Sequence, residues 1–177
     1  MTTYLWEPVQ VTLGGEDIED EPLGTKEKFW VYNPTDRHPW LFKFARTVGG
    51  HTRGEDWAEW VVHSLALEMG IPTAEVRAAT FEGRRGIVSK SVIELATNQR
   101  LVHGNSLLVE SSDRYDPRQQ RENPGYTVAA VHEALLGVSA PFATPELASL
   151  SGFDVWAGYL VLDALVGGRD RHHENWA

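Results

Sequence analysis

Hydrophobic and polar residues alternate over the first part of the chain with the period of two that is typical of β-strands. Residues 4–13 alternate apart from Pro8, and the acidic, glycine-containing stretch 14–24 predicts a loop. Two further strand-like runs, 25–33 and 40–46, are separated by PTDRHP, whose proline and aspartate favour a turn. The pattern therefore predicts a β-hairpin after the acidic loop.

A helical pattern follows the predicted hairpin. Thr52 and Glu55 match the T-x-x-E capping box that marks a helix start, and Gly70 matches a helix stop. Two more strands are predicted over 74–80 and 86–93, around the turn FEGRR. Apolar residues recur at helical spacing between the start and stop signals and predict the buried face of this helix: Ala58, Val61, Val62, Leu65, Ala66 and Met69.

The second half of the chain is predicted to be helical after a polar interruption. Residues 104–125 are polar and predict an exposed loop, whereas 127–138 has the pattern of a short amphipathic helix. A longer helix is predicted to start at Thr144, with Pro145 at its first helical position. Its apolar residues lie on several sides, which predicts that they are largely buried: Val155, Trp156, Tyr159, Leu160, Leu162, Ala164 and Leu165.

The order of these elements predicts an α+β fold with two unequal lobes and a cleft between them. Residues 1–95 are predicted to form a mixed β-sheet lobe with one long helix, 96–126 a hinge and exposed linker, and 127–177 a helical lobe. A chain of 177 residues with 42% hydrophobic content is long and apolar enough to bury a core.

Composition narrows the classes of function. The net charge of −9 disfavours direct nucleic-acid binding, because phosphate contacts need clustered Lys and Arg. The sequence has no cysteine, so disulfides and thiolate chemistry are excluded. No apolar run reaches the ~18 residues of a membrane helix, and no signal-peptide pattern opens the sequence. We therefore expect no membrane contact and a cytoplasmic protein.

The first candidate for chemistry is Lys43. Strand alternation places Trp40, Phe42 and Phe44 on one face and Lys43 on the other, where a lysine either reaches solvent or meets an anion. Glu59 lies at the edge of the apolar stripe of the following helix. The two residues form either a weak surface pair or an ion pair that fixes the lysine against the phosphates of a nucleotide.

A second candidate is the turn PLGTKEK over residues 22–28. The backbone N–H groups of such a turn can cradle a phosphate, and its two lysines add positive charge. The sequence does not contain G-x-x-x-x-G-K-[ST], so it gives no support for a P-loop NTPase.

The third candidate is the polar sequence RDRHHEN over residues 169–175. Asp170 and Asn175 have the D-x-x-x-x-N spacing with which phosphoryl-transfer enzymes place a base and a Mg²⁺ ligand. An amide oxygen suits Mg²⁺, which prefers hard oxygen ligands. A solvated loop is the plain alternative. A metal hydrolase is a further alternative, although the sequence has neither the H-E-x-x-H nor the H-x-x-E-H spacing of such enzymes. Its metal would be bound by three neighbouring residues: His172, His173 and Glu174.

In this order the segments resemble the HipA-like serine/threonine kinases, which have a protein-kinase-like fold. GTKEKFWV is similar to the family's G-x-Q-x-K phosphate-loop segment, and LFKFA to the strand with its ATP-phosphate lysine. EWVVHSLALEMGIPTAEV resembles the family's helix from N-E to L-A-x-x-x-G-(I/L), and GGRDRHHENW its catalytic loop G-N-x-D-x-H-x-x-N-(F/W). The resemblance spans residues 20–177. It implies a phosphotransferase that uses ATP and Mg²⁺ on a protein Ser or Thr hydroxyl, with an antitoxin-like partner as a further option.

The resemblance implies a role for each matching residue. Asp170 would be the general base, His172 its loop neighbour, and Asn175 a Mg²⁺ ligand. Lys43 would hold the phosphates of ATP, and Glu59 would pair with Lys43. Further nucleotide contacts would come from the phosphate loop and from the hinge that receives adenine: Gly24, Thr25, Lys26, Ser89, Lys90, Ser91 and Val92.

The sequence departs from the family pattern at several points. Lys26 replaces the glutamine of the phosphate loop, and Arg169 stands where Thr or Ser is common. The second metal-binding acid that follows the catalytic loop in such kinases has no counterpart before Ala177. Two interpretations follow from the last point: a piece of a longer kinase, or a non-catalytic remnant of the fold that binds a nucleotide or a partner.

Overall fold

The computed structural model divides the chain into two compact units. Unit 1 comprises Met1–Met69 and Thr73–Gln99, and unit 2 comprises Gly70–Pro72 and Arg100–Ala177. The residues that the structure describes are the following: 8–12, 19–20, 27–33, 35, 37–93, 98–111, 114–119, 121–141 and 147–177.

Unit 1 contains a mixed β-sheet, as predicted. Its described strands lie in the order β1-β7-β8-β4-β3-β2; β1 pairs in parallel with β7, and every other pair is antiparallel. The hairpin of β3 and β4 confirms the predicted turn. The short strands β5 and β6 form a separate hairpin. The strand bounds are as follows: β1 Val9–Gln10, β2 Glu19–Asp20, β3 Lys28–Tyr32, β4 Pro39–Phe44, β5 Thr47–Val48, β6 His51–Thr52, β7 Val76–Phe81 and β8 Arg84–Lys90.

Some predicted strand limits are wrong. Of the described residues 8–12 of the predicted strand 4–13, β1 covers only Val9 and Gln10, and residues 4–7 and 13 lie outside the described residues. The predicted acidic loop 14–24 contains β2, which pairs with β3. β8 starts two residues earlier and ends three residues earlier than predicted, because the turn takes only Glu82 and Gly83. Both turn residues have a positive φ, which Gly83 adopts without strain.

Strand β4 follows the predicted alternation closely. Trp40, Phe42 and Phe44 are buried on one face, whereas Leu41 and Lys43 are half-buried on the other. The buried face packs on aromatic and aliphatic side chains of neighbouring strands, and the rings of Phe29 and Phe42 stack at 5.1 Å. Burial of one face of β4 therefore fixes its register and directs Lys43 to the opposite face of the sheet.

Helix α1, Glu55–Glu68, begins differently from the prediction. Its N-cap is Gly54, without a side-chain cap, so the predicted Thr52–Glu55 capping box is wrong. Thr52 instead belongs to β6, and its hydroxyl lies 3.5 Å from the hydroxyl of Thr47 on β5. Thr52 therefore pairs across the β5–β6 hairpin and does not form the helix cap that the local sequence predicts.

The buried face of α1 is also rotated from the predicted one. Its buried residues are Asp56, His63 and Ala66, whereas Val61 is 45% exposed and Met69 is 38% exposed. Asp56 is buried because Arg85 on β8 donates three hydrogen bonds to its carboxylate at 2.8–2.9 Å. The ion pair with Arg85 thus sets the rotation of the helix about its axis, and this rotation differs from the one that the apolar periodicity predicts.

Unit 2 contains three described helices: α2 Gly104–Ser111, α3 Val128–Ala134 and α4 Gly152–Val166. The short amphipathic helix is confirmed as α3, with Thr127 as its N-cap. The prediction of a loop over 104–125 is wrong for its first eight residues, which form α2. The predicted start of the long helix is wrong as well, because residues 147–151 are not α-helical and α4 begins behind a reciprocal Ser151–Asp154 capping box. Thr144 and Pro145 lie outside the described residues.

Helix α4 is buried on one side only. Val155, Trp156 and Leu162 are buried, but Val161 is 58% exposed and Leu165 is 62% exposed, so the prediction of burial on several sides is wrong. None of the described helices is long and apolar enough to span a membrane. The core of unit 2 joins α2, α3 and α4 to the C-terminal loop and contains six buried residues: Leu108, Tyr115, Val131, Leu135, Trp156 and Trp176.

A matched pair of valine substitutions tests this account of unit 1. Val88→Ala on β8 removes two methyl groups from a side chain that is 4% exposed, so we expect a loss of about 2 kcal/mol in unfolding free energy. Val92→Ala, at a residue that is 63% exposed, should change it by less than about 0.5 kcal/mol. Urea denaturation measures both, and equal effects would contradict the assigned core.

Candidate functional site

The first candidate group lies where α1 faces β4. Lys43 Nζ donates a hydrogen bond to Glu59 Oε2 at 3.1 Å, so the ion pair that the sequence predicted between strand and helix is present. The two side chains are 29% and 32% exposed. A pair this accessible to water contributes at most about 1 kcal/mol to stability. The main effect of the pair is therefore to fix the position of the lysine ammonium.

Two neighbours on the sheet keep Lys43 in place. Lys43 pairs in register with Ile87 of β8, which is 1% exposed and shares its face of the sheet. Gly86 allows β8 to approach β4 closely, because a Cβ atom there would lie 2.3 Å from the backbone oxygen of Lys43. Sequence reasoning did not identify Gly86, whose only signal is an isolated glycine in a strand pattern.

The predicted hinge lies at the end of β8. Ser89 and Lys90 belong to the strand, and Val92 is 63% exposed. The backbone groups of Ser91 are engaged: its N–H donates to Pro39 O at 2.9 Å, and its carbonyl lies 2.8 Å from His38 Nε2. The predicted phosphate-loop residues lie outside the described residues: Gly24, Thr25 and Lys26.

The second candidate group is the loop that follows α4. Helix α4 ends at Gly167, whose φ of +68° is the left-handed conformation that glycine favours. Asn175 Nδ2 donates to the backbone carbonyl of Asp170 at 2.7 Å, which closes the loop between the two predicted residues. The Asp170 side chain is 90% exposed. The structure therefore brings Asp170 and Asn175 together and leaves the carboxylate accessible.

His172 lies between two carboxylates of the loop. Its Nε2 is 3.6 Å from Asp170 Oδ1, and its Nδ1 is 3.9 Å from Glu174 Oε2. The same Nδ1 accepts the backbone N–H of Glu174 at 3.3 Å, so the proton of a neutral His172 lies on Nε2 and faces Asp170. The distance of 3.6 Å is too long for a hydrogen bond, so His172 lies beside the Asp170 carboxylate without being bonded to it.

The loop is held by the start of α2. Gly104 N donates to Trp176 O, and Asn105 N donates to His173 O, both at 2.8 Å. A Cβ atom at Gly104 would lie 2.2 Å from the Trp176 ring, so only glycine fits there without movement. The residues that fix the loop were thus missed by sequence reasoning, which took this segment for exposed loop.

Two tyrosines connect the loop to the rest of unit 2. The Tyr126 hydroxyl donates to Arg171 O at 2.9 Å and accepts from Trp176 Nε1 at 3.1 Å. Tyr115 forms a short hydrogen bond through its hydroxyl with Nδ1 of the buried His173. Burial raises the pKa of Tyr115 to about 12 and lowers the pKa of His173, so both groups are neutral near pH 7.

The residues of this loop can be compared with what a metal requires. The amide oxygen of Asn175 accepts no hydrogen bond from the residues that the structure describes, and the Asp170 carboxylate is a second hard oxygen ligand nearby. This donor set fits Mg²⁺, which binds through a few carboxylate or amide oxygens and keeps several waters.

The alternative metal group is also present in space. One ligand atom from each of His172, His173 and Glu174 lies within 4.8 Å of the others. However, Nδ1 of His172 accepts a hydrogen bond from the Glu174 backbone N–H, and Nδ1 of His173 is hydrogen-bonded to the Tyr115 hydroxyl. Ligation through either Nδ1 atom would break a hydrogen bond that holds the loop. Nε2 of His173, in contrast, is buried and has no hydrogen-bond partner among the described residues, so this group is an alternative to the oxygen site.

Comparisons with known proteins bear on the fold. No protein-family model and no curated protein matches the sequence. Among solved structures, the chain is similar to the Helicobacter pylori proinflammatory kinase CtkA, with a TM-score of 0.60 and 18% sequence identity. The similarity covers 97% of this chain and 52% of that one, so the chain spans about half the length of that kinase. This confirms the predicted α+β, kinase-like fold.

The buried His173 gives a test by pH. Because its pKa is lowered in the folded chain, the unfolded chain binds an extra proton below about pH 6.5. Its contribution to stability is therefore full above that pH and is lost as the pH falls towards the lowered pKa. His173→Gln removes this titration, so its unfolding free energy should fall less than that of the wild type between pH 7 and 5.5.

Urea denaturation at both pH values measures the difference. His132→Gln is the matched control, because His132 is exposed on α3 of the same unit. The pH dependence should change more in His173→Gln than in the control. If His173→Gln keeps the pH dependence of the wild type, His173 is not held neutral by burial.

Proposed function

We propose that this chain is an ATP- and Mg²⁺-dependent phosphotransferase of the HipA-like serine/threonine kinase type, acting on a Ser or Thr hydroxyl of a protein. The observation that carries the proposal is the 3.1 Å ion pair of Lys43 and Glu59 between a strand and a helix of a kinase-like fold. Protein kinases use a lysine–glutamate pair of this kind to hold the phosphates of ATP.

Lys43 would bind the nucleotide through its remaining donors. An ammonium group has three N–H donors, and one of them is used by Glu59. The other two can reach phosphate oxygens, since the side chain is 29% exposed. The phosphate-loop residues Gly24–Lys26 and the hinge residues Ser89–Val92 would supply the further contacts that the family resemblance implies.

Asp170 would act as the general base on the substrate. Its carboxylate would accept the proton of the Ser or Thr hydroxyl while that oxygen forms a bond to the γ-phosphorus. The bond from the γ-phosphorus to the bridging oxygen of ADP breaks, and ADP leaves with that electron pair. His172 would be the loop neighbour of this base, with its Nε2 3.6 Å from Asp170 Oδ1.

Asn175 would bind Mg²⁺ through its amide oxygen. When bound, the ion neutralises the negative charge of the phosphates during transfer. The hydrogen bond from Asn175 Nδ2 to the Asp170 carbonyl fixes the amide plane, so the oxygen is presented in one orientation. The other residues of the loop would position these two side chains. Arg171 forms an ion pair with Asp163 of α4, and the carbonyl of Trp176 accepts a hydrogen bond from α2.

Nucleotide binding is the first prediction of this proposal. Lys43→Met should weaken the binding of ATP–Mg²⁺ by about 10- to 100-fold, because a charge-assisted hydrogen bond contributes about 1.5–3 kcal/mol. Glu59→Gln should weaken it less, since the lysine stays in place but is held less firmly. Calorimetry with this chain measures both variants.

Glu68→Gln is the matched control for Glu59→Gln, because Glu68 lies on the last turn of the same helix and is exposed. It should bind ATP–Mg²⁺ as the wild type does. If the Lys43 variant also binds ATP–Mg²⁺ like the wild type, Lys43 does not hold the phosphates, and the ion pair no longer supports the proposal.

Phosphate transfer is the second prediction. Asp170→Asn should reduce transfer to a serine-containing protein substrate, or to the chain itself, by on the order of 10²-fold or more, because a general base is lost. Its affinity for ATP should change little. The control is Asp116→Asn, at an exposed aspartate of the same unit whose Oδ1 accepts a backbone N–H, as an asparagine can.

The two measurements also separate the alternative function. A chain that binds ATP–Mg²⁺ through Lys43 but transfers no phosphate would be a nucleotide-binding module, which could act through a protein partner. Normal transfer by the Asp170 variant would instead rule out Asp170 as the base.

A further inference from the structure

A groove lies between the β5–β6 hairpin and the first turns of α1. Its volume is about 510 Å³, which is within the range of roughly 300–1,000 Å³ that ligand pockets have. It lies within unit 1 and does not include Lys43 or Glu59. We call it the Trp57 groove, after the aromatic residue in the following set of lining residues: Arg46, Val48, Arg53, Gly54, Glu55, Trp57 and Ala58.

Two apolar side chains of the groove are exposed. Trp57 is 52% exposed and Val48 is 47% exposed. Val61, one helical turn beyond Trp57, is 45% exposed and extends the apolar surface along α1. The rotation of α1 that directs Asp56 to the sheet is what leaves Trp57 and Val61 on the outside.

The indole of Trp57 packs against the backbone at Gly54. A Cβ atom at Gly54 would lie 2.0 Å from Trp57 Nε1, so the ring occupies the space that a side chain at 54 would fill. Gly54 has a φ of −88°, which any residue adopts, so the backbone does not require glycine there. Glycine at this position thus accommodates the ring and shapes the floor of the groove.

Two arginines give the groove its charge. Arg46 is 51% exposed, and its nearest carboxylate is that of Glu55 at 3.8 Å. The exposed guanidinium of Arg53 forms no ion pair within the described part of the chain. Other arginines of the unit are chelated by carboxylates, as Arg84 is by Glu27 and Arg85 by Asp56. Glu55 also lines the groove, so its two arginines face one carboxylate, and the groove has an excess of positive charge in a chain of net charge −9.

We infer that the Trp57 groove docks an acidic peptide segment of a partner protein. An aliphatic side chain of the segment packs on Trp57 and Val48, and carboxylates on either side of it pair with Arg46 and Arg53. Two arginines are too few for a nucleic-acid footprint. Arginine is suited to this role because its planar fork binds carboxylates in a fixed geometry. The inference concerns binding alone and does not require phosphate transfer.

The test uses two labelled nine-residue peptides with the same two central leucines, one flanked by glutamates and the other by lysines. Fluorescence anisotropy without nucleotide should show that the wild-type chain binds the acidic peptide with a Kd below about 100 µM, and the basic peptide at least about tenfold more weakly. The double variant Arg46→Glu/Arg53→Glu should reverse this preference. Trp57→Ala should weaken binding of the acidic peptide by about tenfold or more.

The matched control is Arg100→Glu/Arg118→Glu, which makes the same change in net charge at two exposed arginines of unit 2. This control variant should weaken binding of the acidic peptide less than threefold. Equal losses in the two double variants would mean that only net charge matters and would overturn the inference. So would a wild-type chain that does not bind the acidic peptide, or a reversed-charge variant that does not gain the basic one.

Discussion

The contact on which unit 1 depends is the pair of carboxylates that α1 presents to the sheet. Asp56 and Glu59 lie on the same face of the helix, and they meet Arg85 of β8 and Lys43 of β4. The Asp56 carboxylate is only 1% exposed, and a buried carboxylate without its cation costs several kcal/mol. The Arg85–Asp56 pair therefore fixes the rotation of α1.

That rotation has two consequences on opposite sides of the helix. On the inside it holds Glu59 at 3.1 Å from Lys43, which is the geometry a phosphate-binding lysine requires. On the outside it exposes Trp57 and Val61. Trp57 lines the proposed docking groove together with Arg46, Arg53 and Glu55. The proposed nucleotide contact and the proposed docking groove thus arise from one charged anchor.

Strand alternation and residue spacing predicted the parts of the site that depend on local pattern. The side of β4 on which Lys43 lies followed from alternation, and the pairing of Asp170 with Asn175 occurs within one loop. The rotation of α1 could not be predicted, because apolar periodicity favoured Val61 and nothing in the local sequence joins Asp56 to Arg85. Helix α2 was missed for a similar reason: its first N–H groups are satisfied by the carbonyls of His173 and Trp176, about 70 residues away along the chain.

The central claim is the proposal that the Lys43 ammonium holds the phosphates of a nucleotide and that the Asn175 amide binds Mg²⁺. A crystal structure of this chain with a non-hydrolysable ATP analogue and Mg²⁺ tests it most directly. The account predicts phosphate oxygens within about 3 Å of Lys43 Nζ and a metal ion coordinated by Asn175 Oδ1. A nucleotide bound with its phosphates away from Lys43, or a metal ion held by other residues, would contradict it.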